Sequence, residues 1–300
     1  MENYFRTDLA CEAISDIQIT NSTAEYCKET SCYGFEIERL TVTKESSKIY
    51  EKNEGDYITI HCGRIWEYDD NTIKDLATLL SLELRNMAEK LCKKKISDEF
   101  TVLVVGLGNK AMTPDAVGPE TVSRITVTRH LADANPKLFK ELECCAVSAI
   151  APGVLGQTGI ETAELVLGAV KSARPDVIIA VDALAARSCE RLATTLQISD
   201  SGIFPGSGIG NKRAAICKKT LGVPVIALGV PTVITSSTLV YDALQKANVV
   251  EISDSLKEIL ESGKSYFVSP KECDIITKSI SRLLASAIDD AFGISLGFNA

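Results

Sequence analysis

The sequence predicts an α/β protein with a doubly wound, mostly parallel sheet core and an N-terminal hairpin-plus-helix elaboration. Three observations carry this. From Glu99 onward, apolar runs alternate with helix-compatible segments. The runs "TVLVVGLG", "PDVIIAVDAL" and "VPVIALGVP" are continuous rather than alternating in polarity, which marks strands covered on both faces. Several runs lead into glycine-rich loops, at the strand ends where open α/β sheets gather their functional groups.

Taken in order, "FEIERLTVT" and "DYITIHC" read as two strands of a hairpin with a long polar loop, Lys44 to Gly55. From Asn71 to Lys93 apolar residues recur at helical spacing (Ile73, Leu76, Leu80, Leu84, Met87, Leu91). The basic end of that helix, "KLCKKK", suits the negative end of its dipole. "CCAVSAI" and "ATTLQIS" add two strands to the three above. Helices are expected over Gly118–Ala134, Gly159–Ala173 and Lys212–Leu221, and "DIITKSISRLLASAIDDAF" closes the chain as another. There is no internal repeat or proline-rich linker, so one large domain is expected.

The composition excludes whole classes of function. Of 300 residues, 45% are hydrophobic and 24% charged, an ordinary globular balance. A net charge of −8 disfavours general binding to nucleic acid or to anionic membrane surfaces. Ten cysteines are scattered with no C-x-x-C pair, and only His61 and His130 could partner them. They read as buried free thiols in a reducing compartment, not as a metal or disulfide framework. The N-terminus lacks a basic-plus-apolar signal and no run of 18 apolar residues occurs, so a cytoplasmic protein is expected.

Four loops at strand ends are candidates for chemistry. "GLGNKAMTPDAVGP" carries Asp115, "VDALAAR" carries Asp182 at the end of its strand, and "APGVLGQTGIET" and "SDSGIFPGSGIGNKR" are rich in glycine. Each aspartate alone could simply cap a helix. Together, at one edge of one sheet, they could converge and share a proton, one activating water and the other protonating a leaving group. The glycine loops could cradle phosphate, admit an extended peptide, or donate N–H groups to an oxyanion. However, "GLGN" is followed by neither a third glycine in register nor a Walker lysine. No G-x-S-x-G elbow is present, and neither histidine is expected at a strand end of the main sheet. No cofactor and no metal is expected, and elimination leaves Asp115 and Asp182 as the candidates for catalysis.

The segments "RTDLA", "GLGNKAMTPDAVGP", "APGVLGQTGIET", "VDALAARS" and "GIFPGSGIGNKR" closely resemble the spore germination protease family of endospore-forming bacteria. The match runs in order along nearly the whole chain. The resemblance implies an atypical aspartic endopeptidase that degrades small acid-soluble spore proteins in the spore core. It implies Asp115 and Asp182 as the catalytic pair, a self-processing zymogen and a homotetramer. The fold implied is that of the hydrogenase-maturation endopeptidases. Those enzymes use a metal-binding histidine late in the chain, and no histidine follows His130 here. "TDLACE", Thr7 to Glu12, is similar to the acidic-apolar-small-x-Glu pattern that the family cleaves. Residues 1–8 would then be a propeptide released by cleavage between Asp8 and Leu9, leaving 9–300 as a single peptidase domain. A maturation-type endopeptidase and a nucleoside- or phosphate-binding α/β protein are the alternatives.

Overall fold

The computed structural model describes residues 7–14, 25–204, 214–249, 253–262 and 266–294. Its centre is a nine-stranded sheet among those residues. The strands are β1 (Glu25–Thr30), β2 (Glu36–Val42), β3 (Gly55–His61), β4 (Thr101–Gly106), β5 (Ala146–Ile150), β6 (Val177–Ala185), β7 (Thr195–Ser199), β8 (Val225–Thr235) and β9 (Phe267–Val268). Their order is β1-β2-β3-β7-β8-β6-β4-β5, with β9 pairing β8 off this path.

The expected parallel core is the block β8-β6-β4-β5. The hairpin β2-β3 is present, and β1, a charged and largely exposed strand, extends it. These strands and β7 join antiparallel, so the sheet as a whole is mixed.

Side chains of β4 and β6 alternate between two cores, as continuous apolar strands require. Val102, Val104, Ile179 and Val181 face one cluster; Leu103, Val105, Ile178 and Ala180 face the other. Of two short helices, α1 (Ala10–Ile14) packs on the hairpin and α2 (Ser47–Tyr50) lies in its connection. The predicted long helix is α3 (Asp70–Cys92), capped by the Asp69 side chain accepting from the Thr72 N–H. Glu83 on α3 receives both terminal guanidinium nitrogens of Arg39 on β2, at 2.9 and 2.6 Å. That fork fixes the hairpin to the helix.

The helix expected over Gly118–Ala134 is instead α4 (Val117–Val122) and α5 (Arg129–Ala134). The run "ITVT" between them consists of four β-branched residues, stiff at χ1 and poor in helix interiors. It lies outside helix and strand beside β5, with Thr128 exchanging hydrogen bonds with Val147 and Cys145. A further turn, α6 (Pro136–Glu141), and a short α7 (Leu155–Thr158) follow. The Gly159–Ala173 expectation is met by α8 (Thr162–Ala173), which packs Val166 and Val170 on the second core. Only α9 (Lys218–Leu221) is helical within the expected Lys212–Leu221, and Lys212 and Arg213 lie outside the described residues. The chain ends with α10 (Ser236–Lys246), α11 (Asp254–Ser262) and α12 (Cys273–Phe292), the last packed on α3 and α4. Among the described residues, no helix is long and apolar enough to cross a membrane.

All ten cysteines are free, but only Cys11, Cys62, Cys144 and Cys145 are buried; Cys27 and Cys32 are exposed. The expectation of uniformly buried thiols is therefore corrected.

On α12, Asp289 is buried and accepts from the N–H and hydroxyl of Thr126. Burial pushes its carboxyl up to about 6, against the pull of Thr126. A folded-state value above the ordinary value of about 4 means that the native state holds this proton more tightly than the unfolded chain. This contribution to stability is therefore complete below pH ~4 and is lost as the pH rises to ~6. Urea midpoints across that range should show a smaller decline for Asp289→Asn than for the parent chain. Parallel profiles would remove Asp289 as the cause.

Candidate active site

The stretch from Gly106 to Pro119 turns back against the end of β4 by backbone contact. Gly118 in α4 lies so near the strands that an added Cβ would meet the Val181 carbonyl oxygen at 2.6 Å and the Leu107 backbone more closely still. Gly106 faces the Gly118 carbonyl in the same way. These glycines serve close helix–strand approach, which accounts for a glycine-rich loop that lacks a phosphate fingerprint.

Asp115 ends a 3-10 turn, Thr113–Asp115, and does not cap α4: Ala116 is the residue at that position. The Asp115 carboxylate accepts from the Asn109 N–H at 2.7 Å, while the Asn109 side chain is held by Gln157 at 2.8 Å. Gly108, at φ +114°, lets the loop pass the Asp115 backbone, where a side chain would collide. The turn is tied down from two other elements. Thr232 of β8 donates to the Pro114 carbonyl at 2.6 Å, and Thr277 of α12 donates to the Thr113 carbonyl at 3.1 Å.

Asp182 lies inside β6, which continues to Ala185, so the expectation that it ends its strand is corrected. It is paired across the ladder with Gly229 of β8 and is 8% exposed. One carboxylate oxygen accepts from the Ala183 N–H at 2.9 Å. β4 and β6 are hydrogen-bonded neighbours, and Leu107, just past β4, donates to Val181 at 2.8 Å. The fold thus brings Asp182 and the Asp115 turn to the carboxyl side of adjacent parallel strands, where ligands of open α/β sheets bind.

Composition gave no signal for Thr232, Thr277 or Gln157, because threonine and glutamine are ordinary in strands, helices and loops. Their role comes only from tertiary placement. Thr232→Val keeps the shape and removes one donor to a backbone carbonyl. We expect it to cost about 1 kcal/mol of stability and to lower kcat more than it raises KM, by loosening the Asp115 turn. Unchanged kcat with normal stability would show that the turn needs no such tie.

His61 ends β3 and so does lie at a strand end of this sheet, contrary to expectation, though on its antiparallel side. It contacts Glu38 at 2.5 Å, and Arg191 lies 3.2 Å from its Nδ1. Burial works against charge on Glu38. Hydrogen bonds from His61 and Tyr26, with the charges of His61 and Arg191, together hold its carboxyl down at about 2. Glu36, Glu38 and His61 could bring three ligand atoms within 4.8 Å of one another. The Arg191 guanidinium already supplies the positive charge there, 3.7 Å from Glu38. A cavity of about 580 Å³ opens beside this network, lined by Glu12, His61, Arg187, Ser188 and Arg191 among others, and by neither Asp115 nor Asp182. His130 lies on α5.

The Asp8–Leu9 bond predicted for cleavage lies at the end of β6. Asp8 donates its N–H to the Ala185 carbonyl at 2.9 Å, and Leu9 is completely buried against Leu184, Ala186 and Leu192. Residues 1–6 of the predicted propeptide, and Pro205 to Arg213 of the fourth loop, fall outside the described residues.

Residues 8–249 match the family model described as germination protease. A germination protease of Caldanaerobacter subterraneus subsp. tengcongensis is 40% identical over 307 residues, covering 95% of this chain and 93% of that protein. A germination protease of Priestia megaterium is 43% identical over 276 residues, covering 87% and 73% respectively. Among solved structures, the [NiFe] hydrogenase maturation protease HycI from Thermococcus kodakarensis KOD1 is 15% identical with a TM-score of 0.36, covering 68% of this chain and 99% of that one.

Proposed function

The chain belongs to the germination protease family, and from that premise we propose that it is an endopeptidase of spore germination whose chemistry is carried by Asp115 and Asp182. The observation that supports the assignment most is the placement of these two acids at the carboxyl side of the adjacent parallel strands β4 and β6, Asp115 on a tied turn beyond β4 and Asp182 buried within β6. One carboxylate takes a proton from water as it attacks the peptide carbonyl, and the other, protonated, gives its proton to the leaving amine. Two neighbouring carboxylates favour this mixed state, because both cannot easily be charged together. The reaction makes the enzyme an aspartic peptidase of unusual architecture.

The proposed substrates are small acid-soluble spore proteins, cut in the spore core, with the enzyme assembled as a homotetramer and made as a zymogen. The experiment is hydrolysis of a purified small acid-soluble spore protein, followed on gels, with light scattering to give the assembly state. An intact substrate after prolonged incubation with processed enzyme would overturn the reading. Self-processing should release residues 1–8 and leave Leu9 as the new N-terminus under mildly acidic conditions. Asp115→Asn should keep its full N-terminus. Intact-mass spectrometry separates these outcomes, and equal trimming of both chains would rule out self-cleavage.

A further inference from the structure

Thr7 to Glu12 lies against the end of β6 in the manner of a bound peptide. The ladder between β4 and β6 stops at Gly106 and Val181, while β8 accompanies β6 as far as Ala185. Odd-numbered residues of β6 turn their backbone groups toward β4, as Val181 does to Leu107, and even-numbered ones toward β8, as Ile178 and Ala186 do. Past Val181, the β4-facing edge is therefore vacated by β4. Asp8 takes it at Ala185, donating its N–H to the carbonyl and accepting the Ala185 N–H on its carboxylate at 2.9 Å.

Leu9, Ala10 and Glu12 are held as well, the last two in the first turn of α1. Leu9 fills the apolar pocket of Leu184, Ala186 and Leu192. Gln197 of β7, itself buried, spans the bend: its carbonyl oxygen accepts the Ala10 N–H at 2.6 Å and its amide donates to the Asp8 carbonyl at 3.2 Å. Glu12, 2% exposed, receives the N–H groups of Arg187 and Ser188 at 2.8 Å each, with Arg191 4.0 Å away as countercharge. Main-chain bonds to a sheet edge combined with side-chain pockets are how sheet edges bind peptides. Asp182 stands three residues back along β6, roughly 10 Å at the rise of a strand.

We propose that this edge is the peptide-binding groove of the enzyme, that Gln197 and Arg191 are specificity-determining residues in it, and that Thr7–Glu12 occupies it in cis. A peptide bound in trans presents an acidic side chain to the Ala185 N–H, an apolar one to the pocket, and a glutamate to the Arg187 and Ser188 amides. The assignment of the groove to substrate rests on the endopeptidase reading above.

The test is binding of a fluorescently labelled peptide T-D-L-A-S-E, the sequence of residues 7–12 with serine in place of Cys11 to prevent oxidation, measured by anisotropy on the full chain carrying Asp115→Asn to prevent turnover. Replacing its terminal glutamate by glutamine should weaken binding about tenfold, the order expected for a charge-assisted hydrogen-bond pair. Arg191→Ala should shrink that ratio severalfold, and Arg191→Lys should restore most of it. Gln197→Ala should weaken both peptides alike. Leu9→Asp, which loosens the cis segment, should tighten peptide binding at least tenfold. Equal affinity for the two peptides, or a ratio that Arg191→Ala leaves unmoved, would overturn the groove. If Leu9→Asp does not fold, the two-peptide comparison in the parent chain still decides. Peptide binding with this pattern but no hydrolysis by the unsubstituted chain would sink the endopeptidase reading and keep the groove as a peptide site.

Discussion

Asp115→Asn and Asp182→Asn should each lower peptide cleavage by about 10²- to 10⁴-fold while circular dichroism and thermal unfolding stay close to the parent. The magnitude follows from the task. General acid–base catalysis contributes about 10² to 10⁴, and asparagine can neither take nor give the proton. The fold tolerates the change because an amide oxygen can still accept from the Asn109 N–H at one position and from the Ala183 N–H at the other. Asp176 is the control. It precedes β6 and accepts from the Thr101 N–H and from Lys94, so Asp176→Asn should cost stability and leave the turnover of folded enzyme nearly intact. Hydrolysis of a small acid-soluble spore protein, normalised to folded fraction, makes the comparison. Near-parental cleavage by either active-site variant removes that residue from the chemistry.

Gly118→Ala is the substitution with the largest expected effect on the fold. Its methyl group would fall within 2.6 Å of one strand's carbonyl oxygen and collide with the backbone of Leu107. Backbone atoms cannot rotate away as a side chain can, so α4 itself must lift from β4 and β6. Overpacking in a core costs about 1–3 kcal/mol, and a backbone collision places this case at or above the upper end. Because α4 follows directly on the Asp115 turn, lost activity should accompany lost stability in whatever fraction still folds. By contrast, Gly168→Ala meets open space in the interior of α8 and should be neutral or slightly stabilising. Urea unfolding of both variants is the measurement. A Gly118→Ala chain as stable as its parent would mean that the helix is not seated as closely as described.

The parallel core was legible because each of its strands is a run of apolar residues between turn-forming residues, and Asp115 and Asp182 stood out as acids in those surroundings. Where sequence reasoning failed, a tertiary contact decided. Asp182 looked like a strand terminus because an aspartate is a poor strand residue, yet β8 pairs with β6 well beyond it. The segment after α4 looked helical by periodicity, but "ITVT" is kept out of the helix by hydrogen bonds to β5 and to Asp289. β1, "EYCKET", carries too little apolar character to register as a strand and exists because β2 offers it a partner. The ties from Thr232 and Thr277 to the Asp115 turn join residues more than a hundred positions apart, beyond the reach of any local pattern.

The place of β7 in the sheet has a consequence for timing. It is the strand that links the hairpin side of the sheet to the parallel block, pairing β3 on one edge and β8 on the other. His61 of β3 is matched with Thr195 of β7. During synthesis at roughly 5–20 residues per second, the early hairpin must wait about 7 to 27 seconds before the strand that receives it is made. The first strands made are thus among the last to find their places, and such long-range pairings slow folding. In that interval the unpaired edge of β3 is open to other chains, and the charges that crowd β1 and β2 (Lys28, Glu29, Glu36, Arg39) keep the other side of the nascent hairpin from recruiting them.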